Sequence, residues 1–590
     1  MTPRTDGRRW SLDDLIPEKS GPGMERVFED LEVAVTELVA QRTALDADMD
    51  PAPFQEILAI VERIGYRMNQ LNGYAVLWYS ELTSDQDALA FGQRVDKALA
   101  DAQNRTLFFD LWWKKLDAKN ADRLMQSSGD LRYYLESVRR FAPYTLSEAE
   151  EKVINIKNLY GAEGHVTIFG MITNAFTFPL EIDGEIQQLT RTELMVHVRD
   201  ASPERRAEAY RSLHAVFHRN KDVLAQLYKY VVGDWGQENV TLRGMASPIA
   251  VRNLLNDVPD DAIDALLEAC RENVGLFQRF FRLKARWIGM DKLRRYDLYA
   301  PLEAVDREYS FEEGVRQIME SLHGFSPELE TLARRVLDEG HIDSQPRVGK
   351  DTGAFCFGVV PDKTPWVLVN YNGRADDVAT LGHELGHAIH SMMAKDHSVL
   401  TFHSSLPLAE TASNFVELLL INKLLDEEKD PAFRRYLTAK FVDDRYASIL
   451  RQSYFVLFER EAHELINGAG ATPDRLASAY LENLREQFGD SVEVSDDFGW
   501  EWVSIPHIYA TPFYCYAYTF GLLLVLALYQ RYREEGEAFV PKYLSILAYG
   551  GSKAPMAILD EAGFDVRSKS FWQGGFDVVG GMIDDLESLA

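Results

Sequence analysis

The chain has 590 residues, too many for one ordinary core, so its length allows two to four domains. Lys and Arg total 63 against 92 Asp and Glu, a formal net charge of −29, which argues against nucleic acid and anionic membrane as main partners. An apolar fraction of 46% with 11% aromatics excludes a disordered chain, and three scattered cysteines with no C-x-x-C exclude a disulfide framework or a cysteine-ligated zinc.

The opening residues carry charges but no following apolar stretch, so no secretory signal is visible and the expected compartment is the cytoplasm. From about Gly23 to Arg139 the periodicity predicts long amphipathic helices broken by short turns such as Asp50 to Pro53. Ser147 to Glu150 carries capping chemistry for another helix. Val166 to Gly170, VTIFG, reads as a strand, and Asp183-Gly184 between two short alternating runs reads as a hairpin. Pro203 opens a helix after Asp200, and helices continue to about Arg286. Between His341 and Tyr371, GAFCFGVV and PWVLVNY read as two strands of a small sheet. Asp376-Asp377 is expected to start a helix through Ala394, and Pro407 another through Leu425. Thr472 starts one more. Phe513 to Tyr529 lacks formal charge, but only Leu522 to Leu528 is strongly apolar, short of the roughly 20 residues a membrane span needs.

One motif carries chemistry. His383-Glu384-Leu385-Gly386-His387 is an H-E-x-x-H on a predicted helix that follows the strands. Residues i and i+4 share a helical face, so both imidazoles reach one metal ion, while the glutamate on the flank is placed to take a proton from water. Gly382 and Gly386 sit inside the same helix, each costing about 1 kcal/mol relative to alanine, which points to a close neighbour on that face. His390 and Met393 stand where the metzincin pattern needs Gly and His, so that class is rejected. The third ligand is then a glutamate from a later helix. Glu410 and Glu417 in PLAETASNFVELLL lie seven apart on one face; one ligates, and the other can hold a histidine's free N–H. His390, His397 and His403 are expected behind the ligands or at the surface.

A third cluster, SIPHIYATPFYCYAY, holds His507, Tyr509, Tyr514, Tyr516 and Tyr518. Phenol and imidazole donors of this kind stabilise the oxyanion formed in peptide hydrolysis.

At GKDTGAF (Gly349 to Phe355), LVNYNG (Leu368 to Gly373), DDVATLGHELGHAIHS, AETASNFVE (Ala409 to Glu417) and PHIYATPFYCYAYTFG the sequence resembles the thimet oligopeptidase and oligoendopeptidase F family of zinc peptidases, closest to the oligoendopeptidase F branch. WSLDDLIP (Trp10 to Pro17) also resembles the start of such proteins. The resemblance implies His383, His387 and Glu410 as ligands of one Zn²⁺ per chain, Glu384 as general base, Glu417 behind the ligands, and His507 near the substrate. Tyr514 and Tyr516 share the expected oxyanion contact. Tyr509, Tyr518, Gly353 and Asn370 are expected to meet substrate, and the strand at Val367 to Tyr371 to hold its backbone. The implied fold is mainly α, a two-domain helical (neurolysin-like) zinc peptidase with a small β-sheet beside the H-E-x-x-H helix and a deep channel, divided as residues 1–200 and 201–590. The implied activity is endopeptidase cleavage of short oligopeptides, with no nucleic-acid or membrane partner. A zinc carboxypeptidase and a non-catalytic peptide-binding protein are the alternatives; cleavage positions separate the first and metal content the second.

Overall fold

A computed structural model describes residues 8–17, 21–302, 307–468 and 470–589. It is 72% helix and 4% strand, so the expected mainly α class holds. The helices start where the chain supplies capping oxygens or an early proline. Ser202 accepts from the Arg205 amide ahead of Pro203–Arg219, and Thr472 from the Arg475 amide ahead of Pro473–Phe488. Ser147 and Glu150 cap each other's backbone amides at the start of Glu148–Tyr160.

Packing divides the chain into two compact units, each of three segments. The first comprises Met1–Pro143, Asp306–Asp426 and Arg531–Phe564. Its helices Pro22–Ala40, Pro51–Glu81 and Gln86–Lys115 bury one apolar core, in which Phe54 stacks on Trp113 at 5.4 Å. Trp366 and Leu368 of the small sheet join the same core. That sheet has three strands. Trp366–Leu368 is central, parallel to Ile342–Asp343 and antiparallel to Phe355–Phe357, with Cys356 opposite Val367. The central strand is wholly buried, which explains its unbroken apolar run.

Two stretches singled out by resemblance turn out to brace this sheet. Lys350 is buried; its ammonium pairs with Asp343 at 2.9 Å and donates to the Val369 carbonyl at 2.7 Å. The opening motif packs alongside, with the Trp366 indole donating to the Ser11 carbonyl and the Trp10 indole to Glu81.

The second unit comprises Tyr144–Val305, Glu427–Gln530 and Asp565–Ala590. The Asp183-Gly184 hairpin is present, pairing Phe178–Ile182 with Glu185–Leu189, and both turn residues are left-handed (φ 54° and 83°) as the sequence predicts. Val166 to Gly170 corrects the strand expectation: these residues lie within the helix Ala162–Asn174. Phe169 on that helix stacks on Tyr509 at 4.0 Å, so tertiary packing outweighs the β-preference of a short Val-Thr-Ile-Phe run. The unit's interior holds ion pairs, Arg295 with Glu501 at 2.7 Å and Lys284 with Asp443 at 2.6 Å. No helix among the described residues is long and apolar enough to cross a membrane.

Candidate metal centre and active site

The H-E-x-x-H motif lies on the helix Ala375–Met393 in the first unit. Its N-cap is Arg374 rather than an aspartate; Asp377 instead accepts from the backbone amides of Asn372 and Arg374 and closes the first turn from inside. Pro407 opens only a single turn, Leu406–Ala409. Glu410 sits at the break that follows, and a second helix runs Thr411–Glu427. The expected same-face pair is thus split, with Glu410 in the junction and Glu417 two turns into the helix.

The structure brings His383, His387 and Glu410 together, one donor atom of each within 4.8 Å of the others. The two Nε2 atoms are 3.2 Å apart, and Glu410 Oε2 lies 3.4 Å from His383 Nε2 and 3.5 Å from His387 Nε2. A tetrahedral ion bound at about 2.0–2.1 Å holds neighbouring ligand atoms about 3.3–3.4 Å apart, so this triangle fits a zinc-sized cation. The rest of each side chain is already engaged. His383 Nδ1 is 2.5 Å from Glu417 Oε1, which leaves Nε2 as the atom that could meet a cation, and Ser413 Oγ donates to Glu410 Oε2 at 2.7 Å.

Electrostatics agree. Burial alone would lower the His383 imidazole, but Glu417, Glu410 and Glu384 outweigh it and push it up to about 9. Burial, helped by the Glu410 and Glu417 charges, raises Glu384 to about 7. For the protein alone this is a place that demands positive charge, which a proton or a metal ion supplies. Glu384 is buried, and the Cys356 backbone amide hydrogen-bonds to its carboxylate.

A cavity of about 520 Å³ opens onto this group, lined by His383, Glu384, His387 and Glu410 and by the strand Phe355–Phe357. His390 and His403 also line it, and burial lowers both, His390 to about 4. His397 instead pairs with Asp130 at 2.6 Å. The sequence gives no signal for Cys356 at this site; its place beside Glu384 comes from strand pairing, which no spacing reveals. Asn370 spends its amide on the Asp351 and Gly353 carbonyls, both at 3.0 Å, so the two expected substrate-binding residues meet each other.

His507 and the tyrosines lie in the second unit. Tyr516 is wholly buried, and its hydroxyl accepts from Asn256 Nδ2 at 2.9 Å. Tyr509 is buried as well. Tyr514 is half-buried and Tyr518 exposed, and the Tyr518 ring lies edge-on to His507 at 6.0 Å and to Tyr514 at 5.3 Å.

Residues 196–578 match the sequence profile of Peptidase family M3, and residues 112–178 match that of Oligopeptidase F. The chain belongs to peptidase family M3. It is 24% identical to Oligopeptidase PepF of Bacillus subtilis over 98% of this chain and 87% of that one. It is 26% identical to an Oligoendopeptidase F homolog of Borreliella burgdorferi over 91% and 90%. Its fold is shared with a peptidase crystal structure from Chlamydophila abortus (TM-score 0.90, 23% identity, 99% and 98% covered). Oligoendopeptidase-F from Enterococcus faecium also shares it (TM-score 0.71, 21% identity, 96% and 99% covered). This family member is an enzyme, a metalloendopeptidase, and its family implies a metal cofactor.

Proposed function

We propose that this M3 peptidase is a zinc-dependent oligoendopeptidase whose ion is held by His383, His387 and Glu410. The observation that carries the reading is the donor triangle with 3.2–3.5 Å edges beside a buried glutamate. When bound, the ion supplies a Lewis acid that polarises the scissile carbonyl and makes water acidic enough to react near neutral pH. Glu384 takes the proton of the attacking water and returns it to the leaving amine; burial keeps its carboxyl basic enough to do both. Glu417 fixes the His383 ring through Nδ1.

The substrate backbone needs a free strand edge. The expected stretch, Val367 to Tyr371, begins in the strand Trp366–Leu368, which has strands on both sides, whereas Phe355–Phe357 is paired on one side only among the described residues and lines the cavity. We therefore give strand addition to Phe355–Phe357. For the oxyanion we retain the donors the resemblance implies, His507 and a tyrosine, with Tyr514 ahead of Tyr516 because the Tyr516 hydroxyl is committed to Asn256. Oligopeptides as substrates rest on the relatives' names, and a cytoplasmic location on three unpaired cysteines.

Glu384→Gln tests the mechanism. It should keep stoichiometric zinc and lose about 10²–10⁴-fold in turnover of an internally quenched peptide. Near wild-type turnover by that variant overturns the role of Glu384, and loss of zinc overturns its separation from the ligands.

A further inference from the structure

In the second unit, Thr511 to Cys515 link the short helix Pro506–Ala510, which carries His507, to the helix Tyr516–Glu535. Tyr514 sits in this link. Its neighbour Phe513 is left-handed (φ 59°), an outlier for a bulky residue that persists only where the surroundings enforce it. The Phe513 ring is buried, with its centroid 4.5 Å from that of the His463 ring.

Three side chains pin the backbone and flank of this link. Arg252 Nε donates to the Pro512 carbonyl at 3.1 Å, the Phe513 amide donates to Glu459 Oε1 at 2.8 Å, and Asn256 Nδ2 donates to the Tyr516 hydroxyl at 2.9 Å. Arg252 and Asn256 are one turn apart on the helix Pro248–Asn256, while Glu459 comes from the helix Arg451–Asn467. Tyr514 lies between the pinned points. Its own amide donates to the Thr511 carbonyl at 3.1 Å, and its ring centroid is 5.9 Å from the Arg252 guanidinium. The direction of the Tyr514 side chain is therefore set by what holds its neighbours.

Glu459 is the least expected of the three. It is wholly buried, its Oε2 has no hydrogen-bond partner among the described residues, and Oε1 meets the Phe513 amide. Packing alone does not call for a carboxyl there, because a buried polar group with one oxygen unpaired is costly. Burial raises Glu459 to about 8 against the lowering effects of the Phe513 amide and Arg252, so near neutral pH its carboxyl is largely protonated. What it supplies to the turn is then an acceptor oxygen at a fixed reach rather than a charge. We infer that Glu459 is a positioning residue for the peptidase reaction, holding the Phe513 amide and so aiming the Tyr514 hydroxyl. The inference rests on the oxyanion role proposed for Tyr514.

The test is kcat and KM of the full-length, zinc-loaded protein on an internally quenched peptide, with melts showing that each variant is folded at the assay temperature. Glu459→Leu removes the acceptor, Glu459→Asp withdraws it by one methylene, and Glu459→Gln keeps an acceptor oxygen at the same reach. In the first two, kcat should fall about 10–100-fold with KM unchanged, as a small misplacement of a catalytic group costs, and Glu459→Gln should restore it. In a Tyr514→Phe background Glu459→Leu should cost no further kcat, whereas a merely structural loss would add to that of Tyr514→Phe. Should Glu459→Leu fail to fold, Glu459→Asp takes its place in both measurements. Wild-type kcat in the variant that lacks the acceptor, an equal loss in Glu459→Gln, or full additivity with Tyr514→Phe overturns the role of Glu459 and leaves the oxyanion reading standing. Wild-type kcat in Tyr514→Phe alone overturns that reading and this inference with it.

Discussion

Gly386 lies between the two histidines, and a methyl group there cannot be accommodated in place. An ideal Cβ would sit 2.5 Å from Ser413 Cα and 2.8 Å from both the Ala412 carbonyl oxygen and the Ser413 nitrogen. All three are backbone atoms, so no side chain can rotate away. Ordinary carbon contacts begin near 3.4 Å, and Gly386→Ala must therefore push the Thr411–Glu427 helix off the Ala375–Met393 helix by about 1 Å. Ser413 holds Glu410 through its hydroxyl at 2.7 Å, so the displacement is passed to the ligand. A metal site tolerates about 0.2 Å in its ligand distances, several-fold less than the shift. Zinc affinity should fall at least as far as on loss of a supporting hydrogen bond, about 10–100-fold. Overpacking of about 1–3 kcal/mol should cancel or exceed the helix-propensity gain of about 1 kcal/mol. Gly382 is the internal control. A Cβ there would meet Val416, Ile318 and Leu420 side chains at 3.6–3.7 Å, ordinary contact. Gly382→Ala should therefore keep zinc and gain up to about 1 kcal/mol. Zinc competition against a chromophoric chelator and thermal melts followed by circular dichroism measure both. Wild-type zinc affinity in Gly386→Ala, or a larger loss in Gly382→Ala, would refute the close-approach argument.

Glu417→Gln should weaken zinc binding about 10–100-fold with an unchanged melting curve, because it removes the charge that orients His383; unchanged affinity in the same chelator competition would remove Glu417 from the site. Tyr514→Phe should cost about 10²–10³ in kcat if Tyr514 serves the oxyanion, whereas Tyr516→Phe should cost about 1 kcal/mol of stability through Asn256 and little turnover; the opposite pattern in kinetics and melts would exchange the two roles. Buried histidines should make the fold acid-sensitive. Burial lowers His214 to about 4 and His463 to about 3 from 6.5, so the unfolded chain takes up protons that the folded chain refuses. Their stabilising effect is complete above about pH 6.5 and is lost as pH falls toward the folded values, by about 1.4 kcal/mol per pH unit for each group. His214→Phe should remove one such contribution from the difference between urea midpoints at pH 7.5 and pH 5; an unchanged difference would contradict the assignment.

The sequence carried the candidate metal centre because its chemistry is local. Helical spacing alone puts His383 and His387 on one face, and the residues around Glu410 and Glu417 are so apolar that two acids there need partners. What spacing could not show is that one imidazole serves both glutamates, Nε2 toward Glu410 and Nδ1 toward Glu417. That follows from a helix break at Glu410 (φ −88°, ψ 3°), which takes this carboxylate out of the helical register that Glu417 keeps. The same limit separates the two glycines. Both look alike in TLGHELGH, yet only Gly386 faces a backbone, because the crossing point of a partner helix is a tertiary fact. The tyrosines were unrankable for a related reason: Tyr514 and Tyr516 are two residues apart in a turn where Phe513 takes φ 59°, its amide held by Glu459 Oε1 at 2.8 Å. A left-handed non-glycine residue redirects whatever follows it, and Glu459, 54 positions earlier, is a partner that no local pattern announces. Local periodicity therefore reveals ligands that share a helix. Residues that meet across helices are revealed only by the steric consequences of their meeting, which is why Gly386, rather than either histidine, is the most informative residue to substitute.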